Sequence, residues 1–219
     1  MIPLRDSVPA EVFPFVTILI IVMNLAVFAY QFSLEPEARE EFIMRAGAVP
    51  YEISHGEDKP PLFFGYPIQM TLVSSMFLHG GFLHILGNML YLWIFGDNIE
   101  SKVGHLRFLF FYLICGAIAS IVHILTGPES TVPMVGASGA ISGVLGAYLL
   151  LFPRARILTL LTLGFFIRLV EMPAVVVLSL WIILQMVNAY FFHQSNVAWF
   201  AHIGGFFAGI ILIPLFRKD

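Results

Sequence analysis

The chain has 219 residues, of which 59% are hydrophobic and 11% charged, and its mean hydropathy is +0.90. A soluble domain carries about 25% charged residues, so this chain cannot cover itself with a polar surface and we expect the lipid bilayer to be its solvent. The formal net charge of −3 is too small to indicate a nucleic-acid partner, and the single cysteine, Cys115, excludes an intrachain disulfide.

Six apolar segments have about the length that a bilayer crossing requires, roughly 20 residues. They cover residues 15–32, 82–95, 106–126, 137–152, 172–192 and 197–216. A further apolar stretch, residues 157–169, is short and bracketed by arginines, so we predict an interfacial or re-entrant segment there rather than a span. The sequence therefore predicts an all-α, polytopic membrane protein. Its membrane domain of six transmembrane helices covers residues 15–216, between a short N-terminal segment (1–14) and a tail (217–219).

The distribution of Lys and Arg predicts the orientation of these spans, because cytoplasmic loops carry an excess of positive charge. With the N-terminus in the cytoplasm, the cytoplasmic side holds Arg5, Lys102, Arg107, Arg154, Arg156, Arg168, Arg217 and Lys218, and the outer side holds Arg39, Arg45 and Lys59. We therefore predict that both termini are cytoplasmic, in the plasma membrane of a prokaryotic cell. The polar residues 33–75 then form an outer loop, in which Pro60 and Pro61 interrupt any helix.

Three polar clusters lie within the predicted spans, where polar groups are costly and therefore indicate a site. His84 and Asn88 are four residues apart and share one helix face. Ser138 begins the fourth span, where free N–H groups and the helix dipole favour negative charge, and His202 lies near the start of the sixth. Taken alone, each cluster is also explained by packing or capping, because His and Asn hydrogen-bond between membrane helices and serine caps helices.

Taken together, the three clusters share one depth in the outer half of the membrane. A serine, a histidine that can act as its base and a separate pair of hydrogen-bond donors are the parts of acyl transfer. Small residues predict that the fourth and sixth spans pack closely: Gly139, Gly143 and Gly146 on one, and Gly205 and Gly209 on the other.

Four motifs then follow one another along the spans. They are H-x-x-x-N (His84, Asn88), G-x-x-x-E-x-x-x-G (Gly96, Glu100, Gly104), GASG (residues 136–139) and A-H-x-x-G-x-x-x-G (Ala201, His202, Gly205, Gly209). In this order they resemble the rhomboid family of intramembrane serine proteases, over residues 71–215.

The resemblance implies a Ser–His dyad, with Ser138 as nucleophile and His202 as general base. It implies an oxyanion hole formed by His84, Asn88 and the Ser138 N–H, lined by Gly136. The supporting residues that it implies are His79 beside the site, Glu100 and Gly104 tying the second and third spans, and the packing glycines Gly139, Gly205 and Gly209. It implies no cofactor and no metal. The implied substrates are transmembrane proteins that enter past the second and fifth spans and are cut near the outer face.

The sequence departs from the pattern of some family members at two places. Ser142 stands where an aromatic residue would stack on the catalytic histidine, and residues 69–79 lack a tryptophan–arginine pair. Neither departure removes a reacting atom, but the first leaves open what orients His202.

Two other functions are compatible with parts of the sequence. A catalytically silent rhomboid-like protein would bind transmembrane clients without cutting them, and a transporter or channel would use His84, Asn88 and His202 as a polar path. Other hydrolase classes fit poorly. There is no H-E-x-x-H zinc motif, Asp97 is the only aspartate near a span, and GASGA lacks the last glycine of G-x-S-x-G. The oligomeric state does not follow from the sequence.

Overall fold

The computed structural model describes residues 1–58, 67–163, 166–191 and 197–217. Several residues used in the sequence predictions lie outside these ranges: Lys59, Pro60, Pro61 and Lys218, with the end of the fifth predicted span at residue 192.

Helices make up most of the described chain. In order they are α1 (Phe15–Ser33), α2 (Pro36–Ala46), α3 (Pro50–His55), α4 (Thr71–Ser74), α5 (Phe82–Val103), α6 (His105–Thr126), α7 (Ser138–Leu151), α8 (Ala174–Phe191) and α9 (Trp199–Phe216). Short 3₁₀ turns at Ile68–Met70 and Ser75–Phe77 flank α4.

Among the described residues, α1, α6, α8 and α9 are long and apolar enough to cross a membrane. A fifth crossing is obtained if α5 is joined to the segment Ile68–Phe77, which meets it at 84°. The predicted polytopic helical bundle is thus confirmed, whereas the count of six spans is not. The helix that falls short is α7, whose 14 residues extend about 21 Å at 1.5 Å per residue, against a hydrocarbon core of about 30 Å.

The short helix α7 lies at the centre of the bundle. Its residues 139–148 are buried in succession, with no face left for lipid. A helix that is apolar on every side is one surrounded by other elements, and α5, α6 and α9 all pack against it. Ser138 therefore stands at the end of the most enclosed helix in the chain.

Small residues allow α7 and α9 to approach closely, as the sequence predicts. A methyl group at Gly209 of α9 would lie 2.6 Å from the carbonyl carbon of Gly143 and 2.7 Å from its Cα. These are backbone atoms, which cannot rotate aside as a side chain would. Any larger residue at this position must therefore separate the two helices.

In the region predicted as interfacial or re-entrant, residues 157–163 and 166–169 lie in strands and not in a spanning helix, and their placement at the interface stays a prediction. The N-terminal strand β1 (Ile2–Asp6), β2 (Arg156–Leu163) and β3 (Phe166–Pro173) make an antiparallel sheet in that order. Ile157 and Thr159 on one face of β2 are fully buried. A short apolar strand cannot be told from a buried helix segment by its periodicity. One of the two strands that pair with β2, the N-terminal β1, also lies some 150 residues away in the sequence.

The sheet is joined to the bundle by Asp6 at the end of β1. Its carboxylate oxygen Oδ2 accepts a hydrogen bond from the Tyr148 hydroxyl of α7 at 2.5 Å and another from the Val8 N–H at 3.2 Å. Burial raises the pKa of the Asp6 carboxyl, and the hydrogen bonds partly offset that increase.

The predicted outer loop, residues 33–75, is folded where it is described. It contains α2, α3 and α4, and Ala48 pairs with Met134 of the α6–α7 loop through two backbone hydrogen bonds, of 3.0 and 2.9 Å. Arg39 of α2 donates to the carbonyl oxygens of Gln31 at 3.0 Å and Leu34 at 2.9 Å, at the end of α1. A cation at a helix C-terminus satisfies carbonyls that have no partner within the helix.

Glu100 joins α5 to the first helix rather than only to the third span. Its fully buried carboxylate accepts hydrogen bonds from the N–H groups of Val16 at 2.8 Å and Thr17 at 2.7 Å, in the first turn of α1. His105, at the start of α6, contacts the same carboxylate through Nδ1 at 2.5 Å. Gly104 is the one residue between α5 and α6, so it forms the connection that the sequence assigns to it.

We expect Gly209→Ala to destabilise the bundle, because overpacking a close contact costs about 1–3 kcal/mol. The apparent midpoint of thermal unfolding in detergent, followed by circular dichroism, should fall by several degrees. Gly87→Ala is the matched control, since a Cβ at Gly87 of α5 would meet no atom within 4 Å. An unchanged midpoint in Gly209→Ala would contradict the close contact of α7 with α9.

We expect Asp6→Asn to reduce the pH dependence of stability. Because the folded-state pKa of Asp6 is raised, its stabilising contribution is present below the unfolded pKa of about 3.9 and is lost as the pH rises through the folded pKa. The unfolding midpoint of the wild type should therefore fall relative to that of Asp6→Asn over this range. Asp58→Asn, at an exposed carboxylate, serves as control. Parallel curves for wild type and Asp6→Asn would contradict the burial of an ionisable Asp6.

Candidate active site

Ser138 is presented by a loop that is held at several points. The loop after α6 is fixed by the pairing of Met134 with Ala48, and the Gly136 N–H donates to the carbonyl oxygen of Ser75 at 2.9 Å. Gly136 has φ = +126°, a conformation that only glycine adopts readily. The chain then turns into α7 with Ser138 as its first residue.

His202 faces Ser138 from the first turn of α9. Its Nε2 lies 2.9 Å from the Ser138 Oγ, which is hydrogen-bond distance. The close packing of α7 on α9 brings these two residues together, although 64 positions separate them in the sequence. A serine hydroxyl and an imidazole nitrogen at this distance can exchange a proton.

Aromatic rings surround the His202 imidazole even though position 142 is serine. The ring of Trp181 of α8 has its centroid 5.9 Å from that of His202, and the Trp199 ring lies edge-on at 6.0 Å. The Ser142 hydroxyl instead donates to the carbonyl oxygen of Ser138 at 2.6 Å, within α7. The space beside the imidazole is therefore occupied from α8 and α9.

A residue that the sequence analysis missed also contacts His202. The Gln185 Oε1 of α8 lies 2.8 Å from the His202 Nδ1. Gln185 is a polar residue within the apolar run of the fifth predicted span. Polar groups are costly there, so the criterion that selected the other polar clusters would have selected Gln185 too. No motif, however, connects α8 with the other site residues.

His84 points a hydrogen-bond donor towards Ser138. The N–H of Gly80 lies 3.3 Å from the His84 Nδ1 and can only donate, so Nδ1 accepts. In a neutral imidazole the proton is then on Nε2. A Cβ at Gly136 would lie 2.8 Å from that Nε2 and 3.7 Å from the Ser138 Oγ. The donor and the serine thus border the same space, which a side chain at position 136 would fill.

Asn88 lies one helical turn beyond His84 on the same face of α5. It is 8% exposed, and its side-chain Nδ2 has no hydrogen-bond partner within the described part of the chain. A buried amide without a partner costs about 1–3 kcal/mol. Such a group is suited to a ligand that supplies the missing acceptor.

His79 lies behind His84 rather than at the serine. Its ring contacts that of His84, with centroids 5.0 Å apart, and is 2% exposed. Gln31 of α1, also not predicted, holds the His79 backbone: its Oε1 accepts from the His79 N–H at 3.1 Å and its Nε2 donates to the carbonyl oxygen at 3.3 Å. This arrangement fits a role for His79 in shaping the site.

One cavity connects these groups. It has a volume of about 1140 Å³, and Ser138, His202, His84 and Asn88 all line it, with Trp181 on the α8 side. His123 of α6, which the sequence analysis did not select, lines it too. The residues recorded in its lining include no Asp, Glu, Lys or Arg, and no three His, Cys, Asp or Glu residues in the described ranges are grouped as metal ligands would be.

Known proteins that are similar to this chain belong to one family. A family model of the rhomboid domain matches residues 68–219. RHOMBOID-like protein 5 of Arabidopsis thaliana is 36% identical over 141 residues, which is 64% of this chain and 42% of that protein. Rhomboid protease GluP of Bacillus subtilis is 35% identical over 139 residues, 63% of this chain and 24% of that protein. Rhomboid protein 1, mitochondrial, of Saccharomyces cerevisiae is 37% identical over 94 residues, 41% of this chain and 27% of that protein.

The chain spans less than half the length of these three relatives. They come from a plant, a bacterium and a yeast mitochondrion, so the predicted prokaryotic plasma membrane finds no support in them.

Proposed function

The chain belongs to the rhomboid family, and from this premise we propose that it is an intramembrane serine endopeptidase with Ser138 as nucleophile and His202 as general base. The observation that carries the proposal is the 2.9 Å distance between the Ser138 Oγ and the His202 Nε2 at the wall of a large cavity. Of the three relatives described above, the Bacillus subtilis protein is named a protease.

In the proposed first step, the Ser138 Oγ attacks a carbonyl carbon of the substrate while its proton passes to the His202 Nε2. The carbonyl oxygen becomes an oxyanion. The proposed donors to this oxyanion are the Ser138 N–H at the start of α7, the His84 Nε2–H and the Asn88 Nδ2–H. Donors fixed before the reaction stabilise developing charge most effectively where water is excluded.

In the following steps the C–N bond breaks and His202 returns its proton to the departing amine, which leaves an acyl-enzyme on Ser138. A water molecule then attacks the acyl carbon and gives a proton to His202. As the second tetrahedral intermediate collapses, its C–Oγ bond breaks, the new carboxyl end is released, and His202 returns the proton to the Ser138 Oγ. A serine with a single base suffices for such chemistry in other hydrolases.

The proposed substrates are transmembrane proteins. The cavity lies between α5 and α8, where Leu83 and Trp181 form parts of its wall, and Leu83 is 86% exposed on the outside of the bundle. A substrate helix entering between these two helices would reach Ser138 from the lipid. Its backbone must unwind locally before attack, since a helix hides its carbonyl groups in its own hydrogen bonds.

The proposed topology has both termini in the cytoplasm and the site in the outer half of the membrane. Lys and Arg support it, with 8 on the cytoplasmic side and 3 outside. The proposed domain division remains residues 1–14, 15–216 and 217–219. A rhomboid-like protein that binds transmembrane clients without cutting them is the alternative, and the mutual position of Ser138 and His202 favours the protease.

We expect a fluorophosphonate probe to label the purified wild-type protein in detergent, and labelling to be lost in Ser138→Ala and His202→Ala. The matched control is Ser142→Ala, which removes another buried serine of α7 one turn away and should retain labelling. Labelling of Ser138→Ala would identify a different nucleophile. Absence of labelling of the wild type by both a bulky and a small fluorophosphonate would favour the silent binder.

We expect Asn88→Ala to lower the cleavage rate of a test transmembrane substrate by about 10²–10³, the usual loss on removing one oxyanion donor. Single-turnover cleavage in detergent, resolved by mass spectrometry, measures the rate. Asn24→Ala is the control, because Asn24 is a fully buried asparagine of α1 that bonds within its own helix. Equal rates for wild type and Asn88→Ala would contradict the donor role.

A further inference from the structure

Gln185 is a buried polar residue on a helix whose other side faces lipid. Its neighbours Ile183 and Leu184 are about half exposed on the outside of α8, whereas Gln185 is 7% exposed. Its amide has two polar neighbours: Nε2 donates to the Trp181 carbonyl oxygen at 3.2 Å, and Oε1 lies 2.8 Å from the His202 Nδ1. We infer that Gln185 is a positioning residue for His202, which rests on the proposed function of that histidine as a base.

The Trp181 carbonyl oxygen fixes the orientation of the Gln185 amide. The Trp181 carbonyl oxygen can only accept hydrogen bonds, so the amide group facing it must be the NH₂. The amide oxygen is therefore the atom that faces His202. The backbone of α8 thus decides which end of the side chain the imidazole contacts.

The amide oxygen of Gln185 in turn fixes the tautomer of His202. The Gln185 Oε1 accepts and does not donate, so the hydrogen of the 2.8 Å contact belongs to the His202 Nδ1. A neutral imidazole has one ring N–H, and the Nε2 then holds a lone pair. That lone pair faces the Ser138 Oγ at 2.9 Å, which is the arrangement in which Nε2 can take the serine proton. The opposite tautomer would direct an N–H at the serine and could not act as its base.

Two residues of α8 also orient the plane of the His202 imidazole. Trp181 and Gln185 are four residues apart on α8 and so share one helix face. Trp181 contacts the imidazole with its ring and Gln185 holds the Nδ1 end by a hydrogen bond. Together they fix the orientation that an aromatic residue at position 142 would otherwise supply, and they account for the tolerance of Ser142 there.

The test compares Gln185→Met, which keeps the length of the side chain but removes the amide acceptor, with Gln185→Glu, which keeps an acceptor towards Nδ1. The rate of fluorophosphonate labelling of Ser138 should fall about 10-fold to 100-fold in Gln185→Met, the range known for removing the hydrogen-bond partner that orients a metal-ligating histidine. Gln185→Glu should label faster than Gln185→Met. Leu184→Met, a neighbouring lipid-facing change, should label as the wild type does.

A second readout reports the tautomer directly and needs no catalysis. With ¹⁵N-labelled histidine, the His202 ring signals are assigned by their loss in His202→Ala. We expect the wild type and Gln185→Glu to show the proton on Nδ1, and Gln185→Met to show a mixture of tautomers. A wild-type proton on Nε2, or an unchanged tautomer in Gln185→Met with undiminished labelling, would overturn the inference.

The two readouts separate this inference from the proposed function. If wild-type Ser138 fails to react with any fluorophosphonate but the His202 tautomer still depends on Gln185, the protease proposal fails and the positioning contact stands. If the wild type is labelled and neither the labelling rate nor the His202 tautomer changes in Gln185→Met, the positioning inference fails and the protease proposal stands. Thermal unfolding of Gln185→Met beside Leu184→Met shows whether the fold is kept. If it is not, Gln185→Glu carries the comparison: a His202 tautomer or labelling rate unlike that of the wild type then overturns the inference.

Discussion

The close approach of α7 and α9 is the constraint on which the candidate site depends. Ser138 and His202 stand at corresponding ends of these two helices, and the 2.9 Å distance between them exists only if the backbones touch. Glycines at the crossing make that contact possible. The same packing buries residues 139–148 of α7 in succession, so the serine stands at the end of a helix that its neighbours enclose.

Several polar groups inside the bundle are held by partners from another part of the chain. Glu100 accepts the first N–H groups of α1, and Gln31 of α1 binds the backbone of His79. Gln185 contacts the Nδ1 of His202. In a bilayer interior an unpaired polar group costs more than in water, so these pairs restrict how the helices can be arranged. The amide nitrogen of Asn88, by contrast, has no hydrogen-bond partner among the described residues, and Asn88 lines the cavity.

The sequence predicts the helical bundle and the members of the candidate site because both depend on local signals. Long apolar runs predict the helices, and His84, Asn88, Ser138 and His202 stand in short motifs. Pairings between distant segments have no such signal. Nothing near residues 157–160 indicates that they would pair with β1, and nothing near Glu100 indicates Val16 as its partner. Gln185 is conspicuous as a polar residue in a span, but only the folded chain relates it to His202.

The contacts of α8 with His202 have a consequence for how a bulky substrate is admitted. Trp181 and Gln185 contact the imidazole from α8, whereas the proposed donors His84 and Asn88 lie on α5, and the proposed substrate would enter past these two helices. Displacement of α8 would remove both contacts that orient the imidazole and would slow the reaction of Ser138 until the helix returned. Displacement of α5 would leave the base in place and remove the donors. Under this proposal, the base and the oxyanion donors are all in position only when both helices are in the arrangement described here.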